Sequence, residues 1–236
     1  MSRQNEITEP SRGPLIGRAE GEEALPPPLR PRAVAVLAVA GIIGPPFYAG
    51  AALVQSLIRT DHSLMADPIA RLAAGPNGWV QHVNFIVLGV LMIAFAIGLH
   101  QGVRPARWGL VALVFLVLGG LGQVWAGLVD PFPPPFVLTF LGAGIGLIAM
   151  SRRMTHDPRW RSLANYALIT GIALLVAVPA GVLLGIPPGS TPRPFSGLAS
   201  WVLAGIWFVG TVVLALRLRR ISTSSSATWE PQSAGQ

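Results

Sequence analysis

Six long apolar runs, separated by short polar stretches, dominate the sequence. They cover residues 33–58, 79–99, 108–129, 135–150, 164–185 and 197–216, and none of them contains Asp, Glu or Arg. A helix rises about 1.5 Å per residue, so about 20 residues cross a hydrocarbon core roughly 30 Å thick. Five of the six runs reach that length. The pattern therefore predicts an all-α, polytopic membrane bundle with six transmembrane helices.

A soluble helical bundle is the alternative class for such a chain. The helices of a soluble bundle carry polar faces at helical spacing, whereas these runs are apolar all round, so we exclude that class. The fourth run, residues 135–150, is shorter than a full span. It either begins on the prolines before it, where a first-turn proline loses no helical hydrogen bond, or crosses a locally thinned bilayer.

The two ends of the chain differ in composition from the runs. Residues 1–32 mix glutamate and arginine with a run of prolines, and residues 221–236 are rich in serine and threonine. Neither segment can bury enough apolar surface to offset the entropy of ordering it. We predict a disordered tail at each end of a membrane domain that covers residues 33–220.

The arginines predict how the bundle is oriented. The chain has no lysine, and its 17 basic residues give a net charge of +7. Eleven arginines lie near the helix ends on one side of the predicted bundle, and three, Arg59, Arg71 and Arg193, lie on the other. Positively charged loops face the cytoplasm. We therefore predict that both termini are cytoplasmic and that the protein spans the cytoplasmic membrane.

The composition of the chain supports the membrane class and excludes several kinds of binding and catalytic chemistry. The chain is 52% hydrophobic and 11% charged, against roughly 25% charged in a typical soluble protein. Its arginines lie between apolar runs and not in a cluster with aromatic residues, so we expect no nucleic-acid partner. The absence of cysteine excludes disulfides, thiolate metal sites and cysteine nucleophiles. Since no nucleophile elbow, P-loop or dinucleotide fingerprint occurs, we expect no cofactor, no metal and no enzyme of a known motif class.

A group of polar residues falls on the predicted outer side. The candidate ligand-binding residues are Asp67 and Arg71 in the first outer loop, His82 and Asn84 at the start of the second helix, and Asp130 after the third. Carboxylates, an imidazole and a guanidinium at one rim could coordinate a cation, hold an anionic headgroup or transfer protons. The alternative for these residues is an interfacial network of salt bridges and solvated loop charges.

Three features predict how the helices pack. Asn84 and Gln123 lie within helices, where an unpaired amide is costly, so their expected role is interhelical hydrogen bonding. Pro45, Pro46 and Pro179 are expected to kink their helices, because a proline has no N–H to donate. Small residues four apart allow close helix packing, and homodimerisation through these faces is the alternative to packing within the bundle. These pairs are Gly122 with Ala126, Gly142 with Gly146, and Gly181 with Gly185.

Several short motifs, taken in their order and spacing, resemble those of a known family. They are DPIARL at residues 67–72, GPNGW at 75–79, NF at 84–85, DP at 130–131, DPRWR at 157–161 and LRLRR at 216–220. Over about residues 31–220 the chain is similar to the bacterial and archaeal domain-of-unknown-function 998 family. The resemblance implies a six-helix integral membrane protein whose family has no established activity. Members often carry a histidine near the start of the fourth helix, and residues 132–139 contain none.

These observations leave three functional hypotheses. The leading one is a six-span bundle that binds or passes a small or lipid-like ligand near the outer leaflet, without covalent chemistry. The second is a membrane-embedded enzyme that acts on a lipid or isoprenoid substrate. In that case Asp67, His82 and Asp130 would supply acid–base or metal-binding groups, and Arg71 would hold an anion. The third is an accessory protein that packs against another membrane protein.

Overall fold

The computed structural model describes residues 31–129, 133–184 and 193–227. These residues form a short 3₁₀ helix at Ile69–Ala73 and six α-helices, each long and apolar enough to cross a membrane. The α-helices are α1 at Pro31–Ile58, α2 at Gly78–Gly102, α3 at Gly109–Leu128, α4 at Pro133–Met154, α5 at Arg161–Leu183 and α6 at Ser196–Ala227. No strand occurs in the described ranges. The predicted all-α, six-helix membrane architecture is confirmed.

The largest extensions past the predicted apolar runs occur in α4 and α6. α4 begins at Pro133, so the short fourth run starts on its prolines, where a missing N–H costs no helical hydrogen bond. At its other end α4 continues to Met154 and includes Arg152 and Arg153 in its last turn. α6 continues to Ala227, past the end of its run at residue 216.

Proline does not interrupt either of the helices that contain it. α1 runs through Pro45 and Pro46, and α5 runs through Pro179. Each proline leaves one carbonyl of the preceding turn without its helical donor. Kinks at these three positions stay a prediction.

Helices that follow one another in the chain also pack against one another, and α1 closes the ring by packing on α6. α5 has an extensive contact with α4 and a much lighter one with α6. Short connections make successive helices antiparallel, so the bundle has two distinct ends. We call the end that holds residues 59–77 the cap end, and those residues the cap. The opposite end, where α2 ends and α3 begins, is the arginine end.

Hydrogen bonds tie the cap to the helices. Within the cap, Arg59 at its start donates from Nη1 to the carbonyl oxygen of Leu72 at 2.9 Å. The cap also docks on the first turn of α6, where the N–H of Leu198 donates to the carbonyl oxygen of Met65 at 3.2 Å. A Cβ atom on Gly197 would lie 2.4 Å from a carbonyl oxygen of the cap. The cap therefore packs directly against the backbone of α6.

Small residues bring α3 and α4 into backbone contact. A Cβ atom on Gly142 would lie 2.5 Å from the backbone nitrogen of Gly119, and one on Gly146 would lie 2.7 Å from Cγ of Leu116. Contacts this short leave no room for a side chain. The small-residue face of α4 therefore packs within the same chain, where close contact replaces the hydrophobic drive that lipid does not supply.

Gly142→Ala is expected to destabilise the bundle by about 1–3 kcal/mol, because the added methyl group must push α4 away from α3. Gly205 in α6 provides the matched control, since no atom lies within 4 Å of the position of its missing Cβ. Thermal unfolding in detergent should show a lower midpoint for Gly142→Ala and an unchanged or higher one for Gly205→Ala. Equal midpoints for the two variants would contradict the tight α3–α4 contact.

Candidate functional site

A cavity opens at the cap end, between α1, α2, α3, α4 and α6 and beneath the 3₁₀ helix of the cap. The centre of a water-sized sphere can reach about 80 Å³ inside it. Six of the fifteen described residues that line it are aromatic. The aromatic lining residues are Tyr48, Phe85, Phe136, Phe140, Trp207 and Phe208.

Two polar side chains in the cavity wall lack partners. The hydroxyl of Thr139 is buried and makes no hydrogen bond, whereas a helical threonine in lipid commonly bonds to the carbonyl four residues before it. Thr211 of α6 shows that usual arrangement, donating to the carbonyl oxygen of Trp207 at 2.9 Å. Gln123 also lines the cavity, and its amide has no hydrogen-bond partner among the described residues. A hydroxyl and an amide can together both donate to and accept from a bound group.

Ser200, the third polar group of the wall, is already paired. Its hydroxyl donates to the carbonyl oxygen of Gly197 at 2.7 Å and accepts from the N–H of Ile69 in the cap at 3.2 Å. This residue therefore holds the cap over the cavity. None of the described residues that line the cavity carries a charge. The cavity therefore suits an uncharged polar group better than an ion.

A buried amide network fixes one wall of the cavity. Gln81 donates to the hydroxyl of Tyr48 at 3.0 Å and accepts from the amides of Gln55 at 3.0 Å and Asn84 at 3.2 Å. Asn84 also donates to the carbonyl oxygen of Tyr48 at 3.1 Å. The network joins α1 to α2 and holds the Tyr48 ring in place. It leaves the side-chain oxygen of Asn84 buried without a partner.

The residues that the sequence proposed as one site have separate partners in the structure. Asp67 and Arg71 form an ion pair of 2.7 Å in the cap, with the Arg71 side chain 53% exposed. His82 bonds through Nδ1 to the carbonyl oxygen of Gly127 at 3.2 Å, so this nitrogen carries the proton and links α2 to α3. Asn84 belongs to the amide network, and Asp130 lies outside the described residues. None of the four described candidates lines the cavity.

The arginine and aspartate side chains of the cap form ion pairs with one another. Bonds from the Arg59 guanidinium to the Asp61 carboxylate, at 2.6 and 3.0 Å, lower the pKa of Asp61. Burial lowers the pKa of His62, and this effect outweighs the nearby Asp67 carboxylate, which raises it. His62 is therefore neutral at pH 7 and Asp61 is ionised. This pairing matches the salt-bridge alternative for the outer residues.

Neither Thr139 nor the aromatic side chains of the cavity were predicted from the sequence as site residues. A weak signal was present, since Phe136, Thr139 and Phe140 share one face of α4 at positions three and four apart. Ser200, Trp207 and their neighbours share one face of α6 in the same way. Such spacing marks a face that points into a bundle. It does not reveal whether neighbouring side chains fill the space in front of that face.

A second polar cluster closes the arginine end. Arg153, which is 2% exposed, caps α2 by donating to the carbonyl oxygens of His100, at 2.9 Å, and Arg104, at 2.7 Å. Burial raises the pKa of Asp157, but hydrogen bonds from the Arg159 side chain and from the N–H groups of Arg104 and Arg159 lower it to about 2. Trp160 donates to the carbonyl oxygen of Gly102 at 3.2 Å. The DPRWR motif at residues 157–161 therefore locks the end of α2 to the α4–α5 connection.

The fold and the cavity define a multi-pass integral membrane protein. The profile of the family described as "Protein of unknown function (DUF998)" matches residues 42–217, and the chain belongs to that family. The resemblance carried by the short motifs is thereby confirmed. No curated protein and no solved structure matches the chain.

Gln81→Leu is expected to lower the free energy of unfolding by about 2 kcal/mol, because it removes three hydrogen bonds that are each worth about 0.6 kcal/mol in a membrane helix bundle. Gln123→Leu makes the same chemical change in another buried helical glutamine, but it removes no bond to a described residue. Unfolding by denaturant in micelles should therefore separate the two variants. Equal losses of stability would show that the network contributes nothing specific.

Proposed function

We propose that the protein binds a small, lipid-like molecule in the cavity at the cap end. The observation that carries the proposal is the unpaired hydroxyl of Thr139, which is buried in the wall of a largely apolar cavity. An unpaired buried polar group costs roughly 1–3 kcal/mol, and a ligand that satisfies it recovers that free energy. Gln123 adds a second free polar group on the adjacent helix α3.

The chemistry of the wall selects the class of ligand. Aromatic and aliphatic walls accept a hydrocarbon chain or ring, and the two polar groups accept one hydroxyl or carbonyl group. A charged headgroup would find no counter-charge among the described lining residues. The preferred ligand is therefore an uncharged amphiphile, such as a long-chain alcohol.

Packing below the cavity supports binding over passage. A second, smaller cavity, which Trp207 also lines, lies farther along the bundle toward the arginine end. Beyond it, Leu99, Met150 and Leu218 are fully buried. Arg153 and its bonds to the end of α2 then close that end of the bundle. A ligand that enters at the cap end would have to displace these side chains to cross the membrane.

No observation favours the two other hypotheses. An enzyme would use Asp67 and His82, but Asp67 pairs with Arg71 and His82 bonds to a backbone carbonyl. Among the described residues, no group of three His, Cys, Asp or Glu side chains lies close enough to hold a metal ion. An accessory protein needs no internal cavity. Ligand binding is the hypothesis that uses the cavity and its unpaired groups.

Photolabelling tests the proposal directly. The full-length protein in detergent is exposed to hexadecanol that carries a diazirine in its chain, and the labelled peptides are mapped by mass spectrometry. Labels should fall on the cap-end halves of α4 and α6 and should be displaced by unlabelled hexadecanol. Ala204→Phe, which fills the cavity, should abolish this labelling. Thr139→Val should weaken competition about fivefold, the equivalent of one buried hydrogen bond.

Thr170→Val is the matched control, because Thr170 is buried in α5 and does not line the cavity. It should label like the wild type. Labels confined to lipid-facing residues and insensitive to competition would contradict the proposal. Equal effects of the two threonine variants would show that the Thr139 hydroxyl does not contact the ligand.

We propose in addition that the arginine end faces the cytoplasm and the cap end faces outward. Ten described arginines lie at the arginine end, and three lie at the cap end, where Arg59 and Arg71 are paired with aspartates. This asymmetry supports cytoplasmic termini by the positive-inside rule. The cavity would then lie within the outer leaflet of the cytoplasmic membrane.

Reporter fusions test this orientation. Green fluorescent protein fused after Arg220 should fluoresce, and alkaline phosphatase fused at the same position should be inactive. The same pair of reporters fused within the 184–195 connection should give the opposite pattern. Phosphatase activity from the fusion after Arg220 would overturn the orientation and leave the cavity proposal unaffected.

A further inference from the structure

A groove runs between α5 and α6 at the arginine end, far from the cavity at the cap end. Ser162 and Leu163 of α5 form one wall, and Val213, Leu216, Arg217 and Arg220 of α6 form the other. α5 and α6 pack on each other only lightly. The groove therefore faces the surrounding lipid.

The α6 wall changes from apolar to cationic along the helix axis. Val213, Leu216, Arg217 and Arg220 are spaced by three and four residues, so they form one stripe on one face. Val213 and Leu216 lie toward the middle of the bundle, and Leu216 is 40% exposed. Arg217 and Arg220 lie toward the arginine end of the bundle. This order matches a phospholipid, whose acyl chains lie in the hydrocarbon core and whose phosphate lies at the interface.

Hydrogen bonding holds one of these arginines in place and leaves the other available. Arg217 donates from Nη2 to the carbonyl oxygen of Arg159 at 2.7 Å, which fixes its guanidinium at the edge of the groove. Arg220 is exposed and forms no ion pair with any described residue. An arginine guanidinium has five N–H donors, so both side chains keep donors for a further acceptor.

Nothing described at this end neutralises the positive charge of the groove. Asp157 is the one acidic residue that the structure describes there, and its carboxylate is buried and paired with Arg159. Arg161 and Arg219 lie on the same two helices and add to the positive potential. Charge complementarity therefore favours an anion, and the adjoining apolar stripe favours one that carries acyl chains.

We infer that this groove binds an anionic phospholipid. Arg217 and Arg220 bind the phosphate with charge-assisted hydrogen bonds, the Ser162 hydroxyl lies within the same groove, and an acyl chain packs along Leu163, Val213 and Leu216. The groove and the cavity are independent sites, because they lie at opposite ends of the bundle. The groove selects an anionic headgroup, whereas the cavity selects an uncharged one.

Native mass spectrometry of the full-length protein in detergent tests the inference. The protein is titrated with palmitoyl-oleoyl phosphatidylglycerol and, separately, with the phosphatidylcholine that has the same chains. The wild type should retain phosphatidylglycerol preferentially. The double variant Arg217→Gln, Arg220→Gln should lose affinity for it by about fivefold for each arginine. Ser162→Trp, which fills the groove without changing its charge, should lose it as well.

The matched control is the double variant Arg107→Gln, Arg152→Gln, which removes two exposed charges from the same end of the bundle but outside the groove. Its affinity should stay at the wild-type value, and thermal unfolding should confirm that every variant is folded. Equal losses in the two double variants would indicate general electrostatic attraction and would overturn the groove as a site. Equal retention of phosphatidylcholine, or displacement of the lipid by millimolar inorganic phosphate, would also overturn it.

Discussion

Backbone contact at glycine is the constraint on which the rest of the bundle depends. Lipid supplies no hydrophobic drive between helices, so close packing must provide the attraction. A Cβ atom on Gly89, Gly142 or Gly144 would lie 2.6, 2.5 or 3.0 Å from the backbone of Gly120, Gly119 or Gly171, respectively. These three contacts join α2 to α3, α3 to α4, and α4 to α5 in turn. Four successive helices are thereby held so close together that these positions have no room for a side chain.

α6 packs on its neighbours differently from these four helices. Each of the two proposed sites is a gap beside α6. At the cap end α6 meets its neighbours through large rings, Trp207 and Phe208, which contact Phe140 and Tyr48. Rigid rings of this size leave gaps between helices, and the cavity is one such gap. At the arginine end α6 packs lightly on α5 and leaves the groove. The tightly packed helices therefore form a scaffold, and α6 contributes a wall to each site.

The sequence allowed some contacts to be predicted and not others. Asn84 hydrogen-bonds between helices as predicted, because a buried amide must find a partner wherever it lies. Gln123 was expected to do the same but lines the cavity without a described partner. Asp67 and Arg71 are four residues apart and pair with each other, so local spacing alone predicts their contact. Whether they would also meet His82 depended on where the cap lies relative to α2, which no local pattern specifies.

The sequence by itself determined the class of protein, the number of spans and the family, because these depend on runs of apolar residues and on motifs that can be counted along one chain. It also determined the uneven distribution of arginine between the two ends. Only the tertiary structure decided where space remains between the helices. A cavity arises when side chains distant in sequence, such as Tyr48, Thr139 and Trp207, fail to fill the volume between them. Packing of that kind depends on the relative positions of whole helices.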